Sequence, residues 1–177
     1  GDLKDASARA RKLRLMAFDV DGVMTDGSIY YTDAGTELKA FNALDGAGLK
    51  MLEKAGITVA IITGRQAACV EQRARNLGIE RLHQGVHDKV ACLQTMLADL
   101  GLDATAAGYM GDDVMDLGAM SLCGFAVAPA NAHDAVLQRA HLVTRKPGGH
   151  GAVREACDFV LASQGRLDEM LLPWLPQ

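Results

Sequence analysis

Residues 13–26 constrain the fold of this chain more than any other segment. They read LRLMAFDVDGVMTD, a short and mostly apolar run that ends in two aspartates and a glycine. An apolar run of this length, bounded by a turn signal, is typical of a buried strand in a parallel sheet. In open α/β sheets, ligands bind just beyond the carboxyl ends of the strands. The segment therefore predicts a central strand with Asp19 and Asp21 at the edge of the sheet where a site is expected.

The two aspartates are two residues apart, so their side chains share one face of the strand end. Carboxylates this close repel each other, and a hard cation bound by oxygen ligands would compensate their charge. Asp and Gly are also common in solvated turns, and a lone D-x-D-G motif favours that simpler explanation at least equally. The choice between the two depends on the polar residues that follow the later strands.

Apolar runs and helical patterns alternate along the rest of the chain. After a short N-terminal helix and the first strand, the patterns predict strands at 57–62, 82–84, 106–110, 124–128 and 141–144, and helices at 47–55, 66–77, 87–100, 133–139 and 152–171. This alternation predicts an α/β fold with a doubly wound, Rossmann-like parallel sheet. The length of 177 residues favours a single domain over residues 1–177.

A β-hairpin is predicted between the first strand and the first long helix, at about residues 27–42. Residues 28–32 have strand composition, residues 33–35 form a turn, and residues 37–41 alternate polar and apolar side chains. A hairpin at this position would hang over the site as a flap, or would pair with another copy of the chain. An ordinary surface hairpin is the alternative.

The composition and charge of the chain limit which binding partners and which cellular compartment we expect. The formal net charge is −4 and no long basic run is present, which argues against nucleic acid as a partner. The apolar stretches are too short to span a bilayer, and the N-terminal segment lacks the apolar centre of a signal peptide. The four cysteines are widely spaced without a C-x-x-C motif, which predicts buried free thiols. We therefore expect a cytoplasmic protein with neither nucleic acid nor membrane as a partner.

Predicted strand ends and helix starts carry a set of polar residues that suits phosphoryl transfer: Asp19, Asp21, Thr63, Lys89, Asp112 and Asp113. This reaction needs a nucleophile, a proton donor for the leaving oxygen, a cation for the developing charge and fixed donors around the phosphoryl oxygens. Each residue alone has an ordinary explanation as a helix cap or a solvated charge. Helix capping alone does not explain well why such residues occur together at successive strand ends.

The carboxylates of this set supply the chemistry. Asp19 is a suitable nucleophile, and Asp21 is a suitable acid for the leaving group and base for water. We expect Mg²⁺ between Asp19, the backbone carbonyl of Asp21 and Asp112.

The remaining residues would hold the phosphoryl group. Thr63 offers a hydroxyl within a loop of backbone N–H groups, and Lys89 offers a point charge. We expect Asp113 to hold Lys89 or a metal-bound water.

Taken in order, DVDGVMTDG, TGR, a single lysine and GDDxxD resemble the haloacid dehalogenase superfamily, which consists mostly of Mg²⁺-dependent phosphatases. The resemblance covers nearly the whole chain. Within the superfamily, the chain looks similar to the hairpin-capped branch of the 3-deoxy-D-manno-octulosonate 8-phosphate phosphatases. The segments that carry this closer resemblance are TELKAFN (36–42), Asp45-Gly46, IITGR (61–65), Glu71-x-Arg73 and GGHGAVREACD (148–158).

This resemblance implies a hydrolase that acts through an aspartyl phosphate in the synthesis of a lipopolysaccharide precursor. It assigns Asp19 as the nucleophile, Asp21 as the acid and base, and Asp112 as the third metal ligand, with Thr63 and Lys89 on the phosphoryl group. It also implies a homotetramer with packed hairpins. The substrate-binding residues that it implies are Asp21, Asn42, Asp45, Gly46, Arg65, Arg73 and Lys89. Arginine suits this task because it binds the carboxylate of a sugar acid in a bidentate manner.

Two departures from the pattern leave the substrate open. The branch usually has Arg where this chain has Leu44, and GGRG where this chain has His150. Both changes remove a cation near an anionic sugar, so another sugar-acid phosphate, such as one of nine carbons, stays an alternative.

Two alternatives come from other classes. A phosphoacceptor signalling domain also surrounds an aspartate with acids, a threonine and a lysine, but it has no use for Asp21 or for a hairpin. A catalytically silent subunit is disfavoured because no catalytic position is missing.

Overall fold

The computed structural model describes residues 2–177. The strands in that range are β1 Leu15–Phe18, β2 Tyr30–Tyr31, β3 Glu37–Leu38, β4 Thr58–Ile62, β5 Arg81–His83, β6 Ala107–Met110, β7 Phe125–Ala128 and β8 Leu142–Val143. The α-helices are α1 Leu3–Ala10, α2 Ala43–Lys54, α3 Ala68–Leu77, α4 Lys89–Leu100, α5 Leu117–Leu122, α6 Asp134–Leu137, α7 Ala152–Ser163 and α8 Leu167–Leu171. None of the helices within residues 2–177 has both the length and the apolar character needed to cross a bilayer.

The main sheet confirms the predicted α/β fold. Six parallel strands lie in the order β5-β4-β1-β6-β7-β8, and β2 pairs with β3 in a separate antiparallel hairpin after the first strand. The chain runs from β1 outward through β4 and β5, and then returns to the other side of β1 to start β6. The strand order therefore reverses between β1 and β6, and a ligand site is expected beyond the carboxyl ends of these two strands.

Strand β1 lies at the centre of the core because both of its faces are covered. Met16 and Phe18 pack into the layer formed by α1, α2, α3 and α7, while Leu15 and Ala17 pack against α4, α5 and α6. Successive side chains of a strand point to opposite faces, so a strand buried on both sides must be apolar at every position. This is why the segment before Asp19 is a continuous apolar run.

The single helix predicted over 152–171 is wrong, because the chain breaks between α7 and α8. Gly165 adopts a left-handed backbone with φ +68°, and the N–H of Arg166 donates to Leu161 O over 2.8 Å. This is the usual way in which a glycine ends a helix. The break redirects α8 so that Met170 packs into the core.

The cysteines divide between the two helical layers, and all four are free thiols. Cys157 is buried in the layer of α2 and α7, with Cys69 at its border, while Cys123 is buried in the opposite layer, with Cys92 at its border. Burial raises the pKa of Cys123 to about 11 and holds the pKa of Cys157 well above its usual range. The prediction of buried thiols is confirmed for these two, whereas the other two are half-buried.

Candidate active site

Beyond the carboxyl ends of β1, β4 and β6 lies a cavity of about 370 Å³. The predicted site residues that line it are Asp19, Asp21, Thr63, Arg65, Lys89, Asp112 and Asp113. The parallel strands bring these residues together although they are distant in sequence. The cavity therefore lies at the edge of the sheet that the sequence indicates.

Asp19 is a nearly buried carboxylate at the end of β1. Its Oδ1 accepts a 2.8 Å hydrogen bond from the N–H of Val20 and lies 3.3 Å from Lys89 Nζ. Burial raises the pKa of Asp19 to about 8; the Asp116 carboxylate adds to this rise and Lys89 opposes it. Burial also raises the pKa of Asp112 to about 7, with repulsion from Asp116 adding to the effect. The two acids resist ionising together unless further positive charge is supplied.

Asp116 is fully buried and holds the site together. Its Oδ1 accepts hydrogen bonds from Lys89 Nζ over 2.7 Å and from the hydroxyl of Tyr109 over 2.6 Å. Its Oδ2 accepts from the backbone N–H groups of Asp112 and Asp113, over 3.0 Å and 3.2 Å. Asp116 thus orients both the lysine and the loop that carries Asp112.

The expectation that Asp113 holds Lys89 is wrong, because Asp116 does so. Asp113 Oδ1 accepts a 2.7 Å hydrogen bond from the N–H of Val114 and caps a short 3₁₀ turn. Asp113 also lines the cavity, so its other expected role, to hold a metal-bound water, stays a prediction. The sequence did carry a signal for the missed residue: in GDDxxD, the last aspartate follows one turn after the first.

Lys89 begins α4, which Asp88 caps by accepting a 2.9 Å hydrogen bond from the N–H of Ala91. Burial alone would lower the pKa of Lys89, but the carboxylates of Asp19 and Asp116 outweigh burial and raise it. The lysine therefore keeps its positive charge next to the predicted nucleophile.

The acidic cluster fits a divalent cation. Asp19, Asp112 and Asp116 each place a carboxylate oxygen within 4.8 Å of the others. Because both oxygens of Asp116 already accept hydrogen bonds, Asp19 and Asp112 are the members free to bind a metal. Carboxylate oxygens are the ligands that Mg²⁺ prefers.

Gly22 makes room for this cluster. Its backbone is left-handed, with φ +83°, and a Cβ at this position would lie 1.9 Å from Asp112 Oδ2. The glycine of the D-x-D-G motif is therefore required both for the turn and for the space that Asp112 occupies.

Thr63 lies buried at the end of β4, and its backbone holds the loop that follows. Its N–H donates to His83 O over 2.9 Å, and its carbonyl accepts from the N–H of Val86 over 3.0 Å. These bonds fix the segment that places Thr63 and Gly64 in the wall of the cavity.

The hairpin contacts the wall of the cavity through Asp21 and Arg65. Lys39, directly after β3, places its Nζ 2.6 Å from Asp21 Oδ1. Arg65 donates to Glu37 and, over 3.1 Å, to the hydroxyl of Tyr31. No local pattern in the sequence indicates that Lys39 and Glu37 lie next to the site.

The structure does not bring the other predicted substrate-binding residues into the cavity. Asn42 caps α2, accepting a 3.1 Å hydrogen bond from the N–H of Asp45. Asp45 is buried and accepts a 2.9 Å hydrogen bond from the N–H of Arg154 in the first turn of α7. Arg73 donates to Asn42 O over 3.2 Å, and a Cβ at Gly46 would lie 2.5 Å from Arg73 Nη2. These residues form a second polar cluster beside the stem of the hairpin.

The chain is similar to known phosphatases. A family model for haloacid dehalogenase-like hydrolases matches residues 82–155. The 3-deoxy-D-manno-octulosonate 8-phosphate phosphatase of Yersinia pestis is 48% identical over 164 residues, which are 93% of this chain and 88% of that protein.

Two solved structures have nearly the same fold. A probable YrbI family phosphatase from Pseudomonas syringae is 45% identical, with a TM-score of 0.96 over 98% of this chain and 99% of the other. The 3-deoxy-D-manno-octulosonate 8-phosphate phosphatase of Moraxella catarrhalis, in complex with a magnesium ion, a phosphate ion and KDO, is 38% identical, with a TM-score of 0.96 over 98% of this chain and 100% of the other.

Proposed function

The chain belongs to the haloacid dehalogenase-like hydrolases, and on that premise we propose that it is a Mg²⁺-dependent phosphomonoesterase. Its proposed substrate is 3-deoxy-D-manno-octulosonate 8-phosphate, the compound for which its relatives are named. The products are the free sugar acid and phosphate, on the route to a lipopolysaccharide precursor. The observation that carries the proposal is the meeting of Asp19, Asp21, Thr63, Lys89 and Asp112 around one cavity.

In the first half of the proposed reaction, an Asp19 carboxylate oxygen forms a bond to phosphorus as the bond between phosphorus and the sugar oxygen breaks. Asp21 gives its proton to that sugar oxygen, which leaves as an alcohol. Lys89 and the hydroxyl of Thr63 stabilise the charge on the phosphoryl oxygens.

In the second half, a water molecule attacks the phosphorus of the aspartyl phosphate. Asp21, now ionised, takes a proton from that water, and the bond from phosphorus to the Asp19 oxygen breaks. Inorganic phosphate leaves, and both carboxyl groups return to their initial state.

Mg²⁺ is the cofactor that this set of donors fits. Asp19, Asp112 and the backbone carbonyl of Asp21 would hold it. When bound, it supplies positive charge that offsets the charges of the two acids and of the phosphoryl group. The raised pKa values of Asp19 and Asp112 support this proposal, because burial and the Asp116 carboxylate disfavour the ionised forms of both groups and a bound cation would favour them.

Binding of the sugar acid is assigned first to Arg65, which lines the cavity. We retain Asn42, Asp45, Gly46 and Arg73 as residues of a substrate subsite that a neighbouring copy completes. The position of Arg73 supports this proposal. Its guanidinium lies over the ring of Phe41, 5.7 Å from the ring centroid, and thus beside the hairpin that would pack against the neighbouring copy.

We further propose a cytoplasmic homotetramer that packs through the hairpin. Tyr30 pairs with Leu38 on one face of the hairpin, and both side chains are about half exposed, at 53% and 50%. Apolar side chains at the edge of a two-stranded sheet favour pairing with another copy. Light scattering should report four chains, and a monomer at working concentration would contradict this assembly.

Two positions at which this chain differs from the branch support an alternative substrate. Leu44 and His150 stand where the branch usually has arginines, and Leu44 is 55% exposed at the start of α2. The same chemistry on a nine-carbon sugar-acid phosphate is therefore the alternative. The signalling alternative is set aside because the family is one of hydrolases.

The experiment that tests the proposal is phosphate release over a panel of sugar phosphates, with Mg²⁺ and with chelator. The panel includes the octulosonate 8-phosphate, nine-carbon sugar-acid phosphates and neutral sugar phosphates. We expect Mg²⁺-dependent preference for the octulosonate. Preference for a nine-carbon acid would keep the mechanism and change the substrate, and absence of turnover on the whole panel would overturn the proposed function.

A further inference from the structure

Glu37 and Lys39 lie on the face of the hairpin that contacts the site. They are two residues apart along an extended segment, so their side chains point the same way, opposite to Leu38. The Lys39 side chain is almost fully buried, at 1% exposed, and its Nζ lies 3.4 Å from Glu37 Oε2. Glu37 also accepts a hydrogen bond from Arg65. The hairpin thus presents a lysine with compensated charge, and not a free cation, to the site.

The contact with Lys39 gives the two carboxylate oxygens of Asp21 different surroundings. Oδ1 accepts the 2.6 Å hydrogen bond from Lys39. Oδ2 faces Arg65, whose Nε lies 4.0 Å away and whose side chain lines the cavity. Lys39 itself does not line the cavity, since it approaches Asp21 from the side of the hairpin. Rotation of the carboxylate would break a short, partly buried, charge-assisted hydrogen bond.

We propose that Lys39 is a positioning residue that fixes the Asp21 carboxylate and aims its Oδ2 at the leaving oxygen of the substrate. This inference rests on the proposed role of Asp21 as the proton donor. Lys39 acts only through Asp21, so its contribution lies in the orientation of the acid. Proton transfer needs the acid within hydrogen-bond reach of the leaving oxygen, and a small misplacement of a catalytic group is costly.

The dependence on the leaving group distinguishes this role from a structural one. An alkoxide leaves only with a proton, whereas p-nitrophenolate leaves as a stable anion. The variant Lys39→Met should therefore lower kcat/KM for 3-deoxy-D-manno-octulosonate 8-phosphate by about ten-fold or more. With p-nitrophenyl phosphate, the same variant should lose only about two-fold. The ratio kcat/KM is used because it reports the first half-reaction alone, in which the sugar oxygen leaves.

Lys12→Met is the matched control, because Lys12 is exposed in the segment before β1, and this variant should behave as the wild type with both substrates. Equal losses on the two substrates in Lys39→Met would show that Lys39 supports the fold alone and would overturn the inference. An unchanged kcat/KM on both would overturn it as well. If Lys39→Met does not fold, Lys39→Ala carries the same test, since it also removes the donor that holds Asp21.

The wild-type protein separates this inference from the proposed function. If the wild type hydrolyses p-nitrophenyl phosphate but no sugar phosphate, the proposed substrate fails. If the wild type hydrolyses both and Lys39→Met loses both equally, only the inference fails.

Discussion

At the scale of single residues, the site depends on buried charges that hold one another in place. Asp116 accepts from Lys89, Tyr109 and two backbone N–H groups, so one carboxylate fixes a cation and an acidic loop. Burial raises the pKa of Tyr109 well above its usual range, and its hydroxyl stays a donor. Such fully satisfied networks orient side chains more strictly than packing alone.

Replacing the proposed nucleophile should abolish turnover without unfolding the protein. In Asp19→Asn we expect kcat to fall by about three orders of magnitude or more, because the amide is not a competent nucleophile. The circular dichroism spectrum should match that of the wild type, since the amide keeps the size of the side chain. Activity close to wild type would exclude Asp19 as the nucleophile.

Gly22→Ala should disrupt the acidic cluster. The added Cβ would lie 1.9 Å from Asp112 Oδ2, so Asp112 must move and Mg²⁺ affinity should fall by about ten-fold or more. Titration of activity against Mg²⁺ measures this change. Gly35→Ala is the control, because Gly35 has the same left-handed backbone, with φ +82°, but nothing within 4 Å of its Cβ position. Equal Mg²⁺ affinity in the two variants would contradict the steric explanation.

At the scale of elements, one buried side chain joins two helices. Asp45 lies in the first turn of α2, yet its Oδ1 accepts from the N–H of Arg154 at the start of α7. Burial raises the pKa of Asp45, while the N–H groups of Arg154 and Gly151 limit the rise. The residue caps a helix that is distant in sequence, whereas Asn42 caps its own helix.

Removing this contact should destabilise the packing of α2 against α7. Asp45→Ala leaves the first turn of α7 without its acceptor, and we expect a loss of about 1–2 kcal/mol in the free energy of unfolding. Urea denaturation measures the change. Asp45→Asn keeps an accepting oxygen and should retain most of the stability; a loss as large as that of the alanine variant would show that the charge matters and not the cap.

The sequence predicted the elements whose signal is local. The apolar run before Asp19 and the similar runs before Thr63 and Gly111 gave strands β1, β4 and β6, and with them the edge that carries the site. The interruption at Gly165 escaped prediction because a glycine within an amphipathic pattern is compatible with a continuous helix. The break is accompanied by the packing of Met170 of α8 into the core, a tertiary contact that the local pattern does not contain.

Contacts that form only in the tertiary structure could not be predicted from the local sequence pattern. Lys39 is one of several lysines, and only the folding of the hairpin against β1 places it beside Asp21. Asp113 and Asp116 are both acids of one short motif, and the 3₁₀ turn between them decides which one faces Lys89.

At the scale of the whole molecule, the acidic cluster makes stability depend on pH and on metal. In the metal-free protein the pKa of Asp19 is about 8, against an ordinary value of 3.8, and the pKa of Asp112 is about 7. At pH values between the ordinary pKa and these raised values, Asp19 and Asp112 stay protonated in the folded state but are ionised in the unfolded chain. Rising pH therefore favours unfolding across this window, and the stability is greatest at its acidic end.

With chelator present, we expect the Tm to fall as the pH rises from about 5 to about 8. Mg²⁺ binds the ionised carboxylates, so the increase in Tm that it causes should grow over the same range. Thermal melts at several pH values, with and without Mg²⁺, measure both effects. Asp19→Asn should flatten the dependence, and a metal-free Tm that rises with pH would contradict the assignment.

The distribution of the cysteines gives each helical layer its own chemical reporter. Cys157 is sealed in one layer and Cys123 in the other, and burial keeps both thiols protonated and shielded. A thiol reagent added to the native protein should reach only Cys69 and Cys92. Labelling of Cys157 or Cys123 then requires its own layer to open, so mass spectrometry of pulse-labelled protein can time the opening of the two sides of the sheet separately.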